Sequence, residues 1–283
     1  MTNVIACIDG SSLSEYVTSA SVWAAKQLSC PLILLHSLEK DESRTEEDLS
    51  GSIGFGSREH LLDELVELDA KRAKLALEHG KMILDNAKSY ALQAGAKQVS
   101  QLQRHGDLVE SLAELEEDTR LIVLGRLGDH HTMNAHTIGS HIERVARSQH
   151  RPILISIGEF TPPKNFMIAY DGREAADNAI ARIAKSPLLL GLKCHLVMAG
   201  DDTPGRKEKL EAAQAMLEEE GFQVTASIQP GKIYPVLTQY RDDHNIDLMA
   251  MGAYAHSKVR QFFVGSNTSK MIIESNIPLL ILR

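Results

Sequence analysis

The chain has 283 residues, 43% hydrophobic and 24% charged, the balance of a soluble globular protein with core material for one large or two ordinary domains. Its formal net charge is -8, so phosphate-rich surfaces are repelled overall; this argues against general binding to nucleic acid or anionic membranes. Three scattered cysteines (Cys7, Cys30, Cys194) without a C-x-x-C pair, no basic leader and no apolar run of about 18 residues point to a reducing cytoplasm and exclude a membrane span.

Along the chain, apolar strands alternate with helical patterns. A strand is expected at Val4–Ile8, then a helix from about Leu13 to Leu28 that Ser11 or Ser12 can cap, with Val17, Ala20 and Ala24 on its core face. Strands follow at Leu32–Leu35 and Val99–Gln103, separated by a helix that ends near Gly95. A short helix over Leu108–Leu115, a strand at Leu121–Leu124, a helix from Ser140 to Arg147 and a strand at Pro152–Ile157 complete the first half. After Gly158–Lys164, a linker with Pro162-Pro163, strands return at Met167–Tyr170, His195–Met198, Gln223–Ile228, Leu248–Met251 and Leu279–Leu282. Apolar strands that alternate with helices predict parallel sheets covered on both faces.

The second half replays the first. Val4-Ile5-Ala6-Cys7-Ile8-Asp9-Gly10 matches Phe166-Met167-Ile168-Ala169-Tyr170-Asp171-Gly172, at an offset of 162 residues. Leu121-Ile122-Val123-Leu124-Gly125 matches Leu248-Met249-Ala250-Met251-Gly252 at 127. Gly139-Ser140 matches Gly265-Ser266, and Arg151-Pro152-Ile153-Leu154-Ile155 matches Ile277-Pro278-Leu279-Leu280-Ile281, both at 126. Two α/β domains of one kind follow, residues 1–158 and 164–283. The drop in offset means 36 extra residues in the first, a helical insertion within about 39–95.

In an open parallel sheet, ligands bind beyond the carboxyl ends of the strands, where the strand order reverses. The loop after the fourth strand carries Gly125-Arg126-Leu127-Gly128 and then Gly139-Ser140 in the first half. In the second it carries Gly252-Ala253-Tyr254-Ala255 and then Gly265-Ser266-Asn267. Glycines let backbone N–H groups approach an anion, and a helix N-terminus offers free N–H groups to phosphate. The same glycines also suit tight turns and the serines suit helix caps, so both readings stand at this point.

The pattern G-x2-G-x9-G-[ST], in a domain that opens with a strand ending in Asp, resembles the universal stress protein family across the whole chain. Met251-Gly252-Ala253-Tyr254-Ala255-His256-Ser257 leading to Gly265-Ser266, and the closing Ile277–Leu282, are especially similar. The resemblance implies two tandem doubly wound, five-stranded parallel sheets of order 3-2-1-4-5 and an adenine nucleotide ligand, ATP or AMP with or without Mg. It places Asp9 and Asp171 by the adenosine and the backbone of Ser37 and Ala199 at the adenine. Gly125, Gly128, Gly139 and Ser140 would hold phosphates in the first half, and Gly252, Gly265, Ser266 and Asn267 in the second. Both halves depart from the pattern: ten residues replace nine before Gly139, and Ala255 stands where the second glycine belongs.

No enzyme motif accompanies these loops. Asp9-Gly10-Ser11-Ser12 is not the H-x-G-H of nucleotidyltransferases, and G-x4-G-K-[ST] and G-x-S-x-G are absent. The expectation is a non-catalytic stress-response sensor that binds nucleotide. The alternatives are a scaffold with degenerate pockets or another ligand, and a slow ATPase. Asp129, His130, His131, His136 and His141 cluster by sequence without the spacing of a recognised zinc site, so no metal is expected. The insertion opens acidic, Glu39 to Asp48, and turns helical from Ser57 to about Ala94, longer than one small sheet can cover; it either projects, packs on a neighbour or merely extends the second helix. The last strand of each half, exposed alone, is expected to be covered by the other, an intramolecular pseudo-two-fold pair that leaves homodimerisation open.

Overall fold

A computed structural model describes residues 2–38, 55–126, 140–252 and 267–283, with the backbone alone for 55–63, 140, 141 and 267. The first half runs β1 (Asn3–Cys7), α1 (Ser14–Leu28), β2 (Leu32–Leu38), α2 (Phe55–Gln93), β3 (Val99–His105), α3 (Leu108–Glu114), β4 (Thr119–Gly125), α4 (Ser140–Ser148) and β5 (Ile153–Ser156). The second repeats it as β6 (Asn165–Tyr170), α5 (Glu174–Ala184), β7 (Lys193–Ala199), α6 (Pro204–Glu219), β8 (Gln223–Gln229), α7 (Ile233–Asp243), β9 (Met249–Gly252), α8 (Asn267–Glu274) and β10 (Leu279–Leu282).

Among the described residues the strands form one ten-stranded sheet in the order β3-β2-β1-β4-β5-β10-β9-β6-β7-β8. Each half therefore has the 3-2-1-4-5 order, with every pairing inside a half parallel. The halves join where β5 and β10 pair antiparallel, Leu279 opposite Ile155, Leu280 opposite Leu154 and Ile281 opposite Ile153. Both edges that a separate five-stranded sheet would expose at its last strand are thereby used up.

The period-2 alternation of the strands sorts side chains into two cores. Val4, Ala6, Leu121, Val123, Phe166 and Ile168 point to the face covered by α1, α2, α5 and α6. Ile5, Ile122, Leu124, Met167 and Met249 point to the face covered by α3, α4, α7 and α8. The segment between the halves is no loose tether: Phe160 is buried against Trp23 of α1, ring centroids 5.7 Å apart.

The structure corrects the expected cap of α1. Leu13 holds the cap position without a side-chain hydrogen bond. Ser11 lies too early, and its hydroxyl accepts from the Leu13 amide at 3.3 Å while donating to Asp9. The α2 helix, 39 residues and roughly 58 Å long, is docked only over its C-terminal part, through Leu84, Ala87 and Ala91. Every residue from Glu64 to His79 is exposed, including Val66 and Leu75, so this stretch projects beyond the sheet.

Asp107 shows how a surface charge is used. Its Oδ1 caps α3 by accepting from the amides of Val109 (2.7 Å) and Glu110 (3.3 Å), and Oδ2 accepts from Arg144 of α4 at 2.5 Å. Burial by itself would raise this carboxyl; the Arg144 guanidinium and the two amides outweigh it and hold it below its ordinary 3.8. A carboxyl depressed in the folded state contributes stability above its unfolded value and loses it as pH falls through the folded one. Asp107→Ala is expected to cost about 1 kcal/mol at neutral pH. In urea titrations at stepped pH, its gap to the parent chain should close as pH drops below 3.8.

Candidate functional site

In both halves the chain leaves the first strand through Asp-Gly, at the point where the neighbouring connections depart to opposite faces. Gly10 and Gly172 have φ of +83° and +69°, a conformation glycine adopts without strain. Asp9 Oδ1 accepts from the Ser11 amide (3.0 Å), the Ser11 hydroxyl (2.7 Å) and the Ser14 hydroxyl (3.1 Å), while the Gly10 amide donates to Ser14 Oγ (3.0 Å). The Asp171 turn is more open: Oδ1 accepts from the Arg173 amide at 3.0 Å and Oδ2 lies 3.6 Å from Arg173 Nε.

The walls differ more than the turns. Over the first turn lies Ile83 of α2; a Cβ at Gly10 would fall 2.5 Å from its Cδ1. Beside it, buried His36 donates from Nδ1 to the Ile8 carbonyl at 2.7 Å, since a carbonyl can only accept. Ser37 donates its hydroxyl to the Gly106 carbonyl at 2.6 Å. In the second half the corresponding wall is cationic. Lys209 of α6 donates to the Gly172 carbonyl at 2.5 Å. The Arg206 guanidinium covers Gly200, just past Ala199 at the end of β7.

Gly125 and Gly252 close β4 and β9. Gly252 has a reason of its own to be glycine: a Cβ there would sit 2.5 Å from the Ala175 carbonyl oxygen and 3.1 Å from the Ala176 nitrogen, in the first turn of α5. Arg126, directly after Gly125, reaches into the other half. Its guanidinium donates to the carbonyls of Ile273 (3.1 Å) and Ser275, at the C-terminus of α8, where a cation also meets the negative end of the helix dipole. Arg283 does the same for α4, donating to the carbonyls of Arg147 (2.7 Å) and Gln149 (3.4 Å). The acceptors are related by the 126-residue offset; the donors are not, one following β4 and the other β10.

The topology thus brings Asp9, Ser37 and Gly125 to one carboxyl edge, at the adjacent strands β2, β1 and β4, and Asp171, Ala199 and Gly252 to another, at β7, β6 and β9. Gly128, Gly139, Gly265 and Ser266 lie outside the described residues. Ser140 and Asn267 open α4 and α8, with their side chains outside them. Of the sequence cluster, Asp129, His130, His131 and His136 are likewise outside and the side chain of His141 is too; among the described residues no three His, Cys, Asp or Glu converge to hold a metal. No described helix is long and apolar enough to cross a membrane. Burial, followed by the charge of Asp9, pushes the Cys7 thiol up, and burial pushes that of Cys194 to about 12, so both are held as neutral thiols. Sequence reasoning missed His36, Arg126, Arg206 and Lys209. Only Arg126 carried a local signal, an arginine facing Ala253 across the repeat.

Residues 1–156 and 163–283 each match the universal stress protein family. The chain belongs to that family, as two domains in tandem. Universal stress protein Slr1230 of Synechocystis sp. is 31% identical over 287 residues, covering all of both chains. Among solved structures, a universal stress protein of Archaeoglobus fulgidus superposes with a TM-score of 0.72 at 18% identity, covering 99% of this chain and 96% of that one. One from Pseudomonas aeruginosa gives 0.61 at 14% identity, over 100% and 93%. These likenesses establish the tandem fold; at such identities they say nothing of ligands.

Proposed function

We propose that this tandem universal stress protein is a non-catalytic adenine nucleotide sensor, taking ATP or AMP at the carboxyl edges of its two sheet halves. The observation that carries the reading is the same constellation arising twice: an Asp-Gly turn beyond the first strand beside a glycine that ends the fourth, at the switch point of a 3-2-1-4-5 sheet. In this reading Asp9 and Asp171 meet the ribose, and the main chain at Ser37 and Ala199 meets the adenine. The loops from Gly125 and Gly128 to Gly139 and Ser140, and from Gly252 to Gly265, Ser266 and Asn267, meet the phosphates. The cations Arg206 and Lys209, beside the Ala199 and Asp171 positions given to the adenosine, make the second crevice more attractive to a nucleotide anion than the first, where apolar Ile83 stands, and favour the second half as the tighter site. In this reading occupancy rather than turnover is the output, read by a partner.

Titration calorimetry with ATP on the parent chain, Asp9→Ala, Asp171→Ala, Gly139→Val and Gly265→Val tests this. Binding should weaken at least tenfold, about 1.4 kcal/mol, in the variants of the half that binds. Absence of heat and of any melting shift at millimolar ATP would turn the reading to its competitor, a scaffold with degenerate pockets. That competitor draws on the packing role of Gly252 and on the uncovered Val66 and Leu75 of α2.

A further inference from the structure

A cleft of about 1010 Å³ opens where the two halves meet, between the C-terminal end of α1, the start of β4 and β5, the end of β10 and one side of α5. Its accessible apolar lining is the half-buried Leu28, Pro152 and Ala181, backed by Leu121, Leu280 and Leu282, which are at most 3% exposed. Five cations line it, Arg120, Arg151, Arg182, Lys185 and Arg283, against three carboxylates, Glu116, Glu117 and Glu174, in a chain whose formal net charge is -8. Glu116 is already engaged, accepting from the His150 amide at 2.7 Å and from His150 Nδ1 at 3.1 Å. Arg151 and Arg283 are fixed on backbone carbonyls, and Arg182 keeps most of its donors after one bond to the His150 carbonyl. The side chains of Arg120 and Lys185 have no hydrogen bond or ion pair among the described residues. Unspent cations above an apolar surface are the complement of an anion with an apolar body.

The internal repeat says what shape that body has. At the 162-residue offset, Arg182, Lys185 and Ser186 correspond to Ala20, Trp23 and Ala24. In the first half those three are buried, and the Phe160 ring, from the segment after β5, packs there on Trp23. One position in the fold thus holds an aromatic ring under an apolar cover in one half, and in the other is an open cleft with the cover replaced by cations.

We propose that the seam cleft is a second ligand site, separate from the two nucleotide crevices, that takes a small aromatic anion: rings on the half-buried Leu28, Pro152 and Ala181, a carboxylate, sulfonate or phosphate head between Arg182, Lys185 and Arg120. Its volume is at the upper end of that of ordinary small-molecule sites. Because the cleft is formed by β5, β10, α1 and α5 together, its occupant braces the seam and couples the halves.

The probe is 8-anilinonaphthalene-1-sulfonate, a fluorescent aromatic sulfonate, titrated into the full chain. One saturable site is expected in the parent protein and in Asp171→Ala. Affinity should fall at least tenfold in the double variant Arg182→Glu, Lys185→Glu, and equally in Asn178→Trp, which fills the cleft from the exposed side of α5 without changing charge. Thermal melts check that both variants are folded; if charge reversal unfolds the chain, Asn178→Trp by itself decides the matter. No saturable binding to the parent chain, binding within twofold of the parent in the folded variants, or loss in Asp171→Ala instead would overturn the proposal. None of these outcomes depends on whether ATP binds at the carboxyl edges.

Discussion

Leu154→Ala and Leu280→Ala are each expected to destabilise the chain by about 2–5 kcal/mol, and Leu154→Asp to leave no folded ten-stranded sheet. The two leucines lie directly opposite each other in the antiparallel join of β5 and β10, 0% and 2% exposed, in the core shared by both halves. Removing either leaves a cavity at the seam, walled by rigid strands on both sides that cannot collapse into it. An aspartate at Leu154, fully buried and away from the cations of the seam cleft, is an unpaired charge without solvent, which costs more than about 4 kcal/mol, a large part of the total stability of an ordinary domain. Because the side chains are cross-strand neighbours, the double alanine variant should deviate from additivity by about 0.5 kcal/mol or more, in the order of magnitude found for contacting pairs. The measurement is denaturant unfolding followed by far-ultraviolet circular dichroism and by the single tryptophan, Trp23 of α1 in the first half. Coincident shifts of both signals mean the seam holds both halves. A loss below ~0.5 kcal/mol in both alanine variants would mean that each half is stable without the join.

Gly252→Ala is the second large effect. The added methyl would lie 2.5 Å from the Ala175 carbonyl oxygen and 2.8 Å from its carbonyl carbon, both backbone, so no side-chain rotation relieves it. Either β9 or the first turn of α5 must shift, at a cost of about 1–3 kcal/mol, and more for Gly252→Val. The melting temperature should fall in nucleotide-free protein. Unchanged stability together with lost ATP binding would instead make this glycine a phosphate contact with no packing duty. The distinction matters, because the sequence offers a phosphate contact or a tight turn at Gly252 but not this packing against α5.

Much of the chain was legible before folding. The repeat from Val4–Gly10 to Phe166–Gly172 and from Leu121–Gly125 to Leu248–Gly252 fixed two like halves, and the alternation of apolar runs with helical spacing fixed the element order to within a few residues. These are local signals: period 2 or 3.6 in side-chain burial and glycine where φ is positive, each written in a few neighbouring residues. The expected use of the last strands to cover each other also follows from local chemistry, since an apolar edge cannot stay in water. What the tertiary structure alone decided is which residues meet across long separations. The antiparallel direction and the Leu154–Leu280 register, the apolar wall of Ile83 against the cationic wall of Lys209 and Arg206, and Arg126 on the carbonyls of α8 join segments far apart in the chain. No period or motif encodes such pairings. They are set by how two twisted half-sheets and their helices can pack without leaving a strand edge, a helix end or a charge unsatisfied.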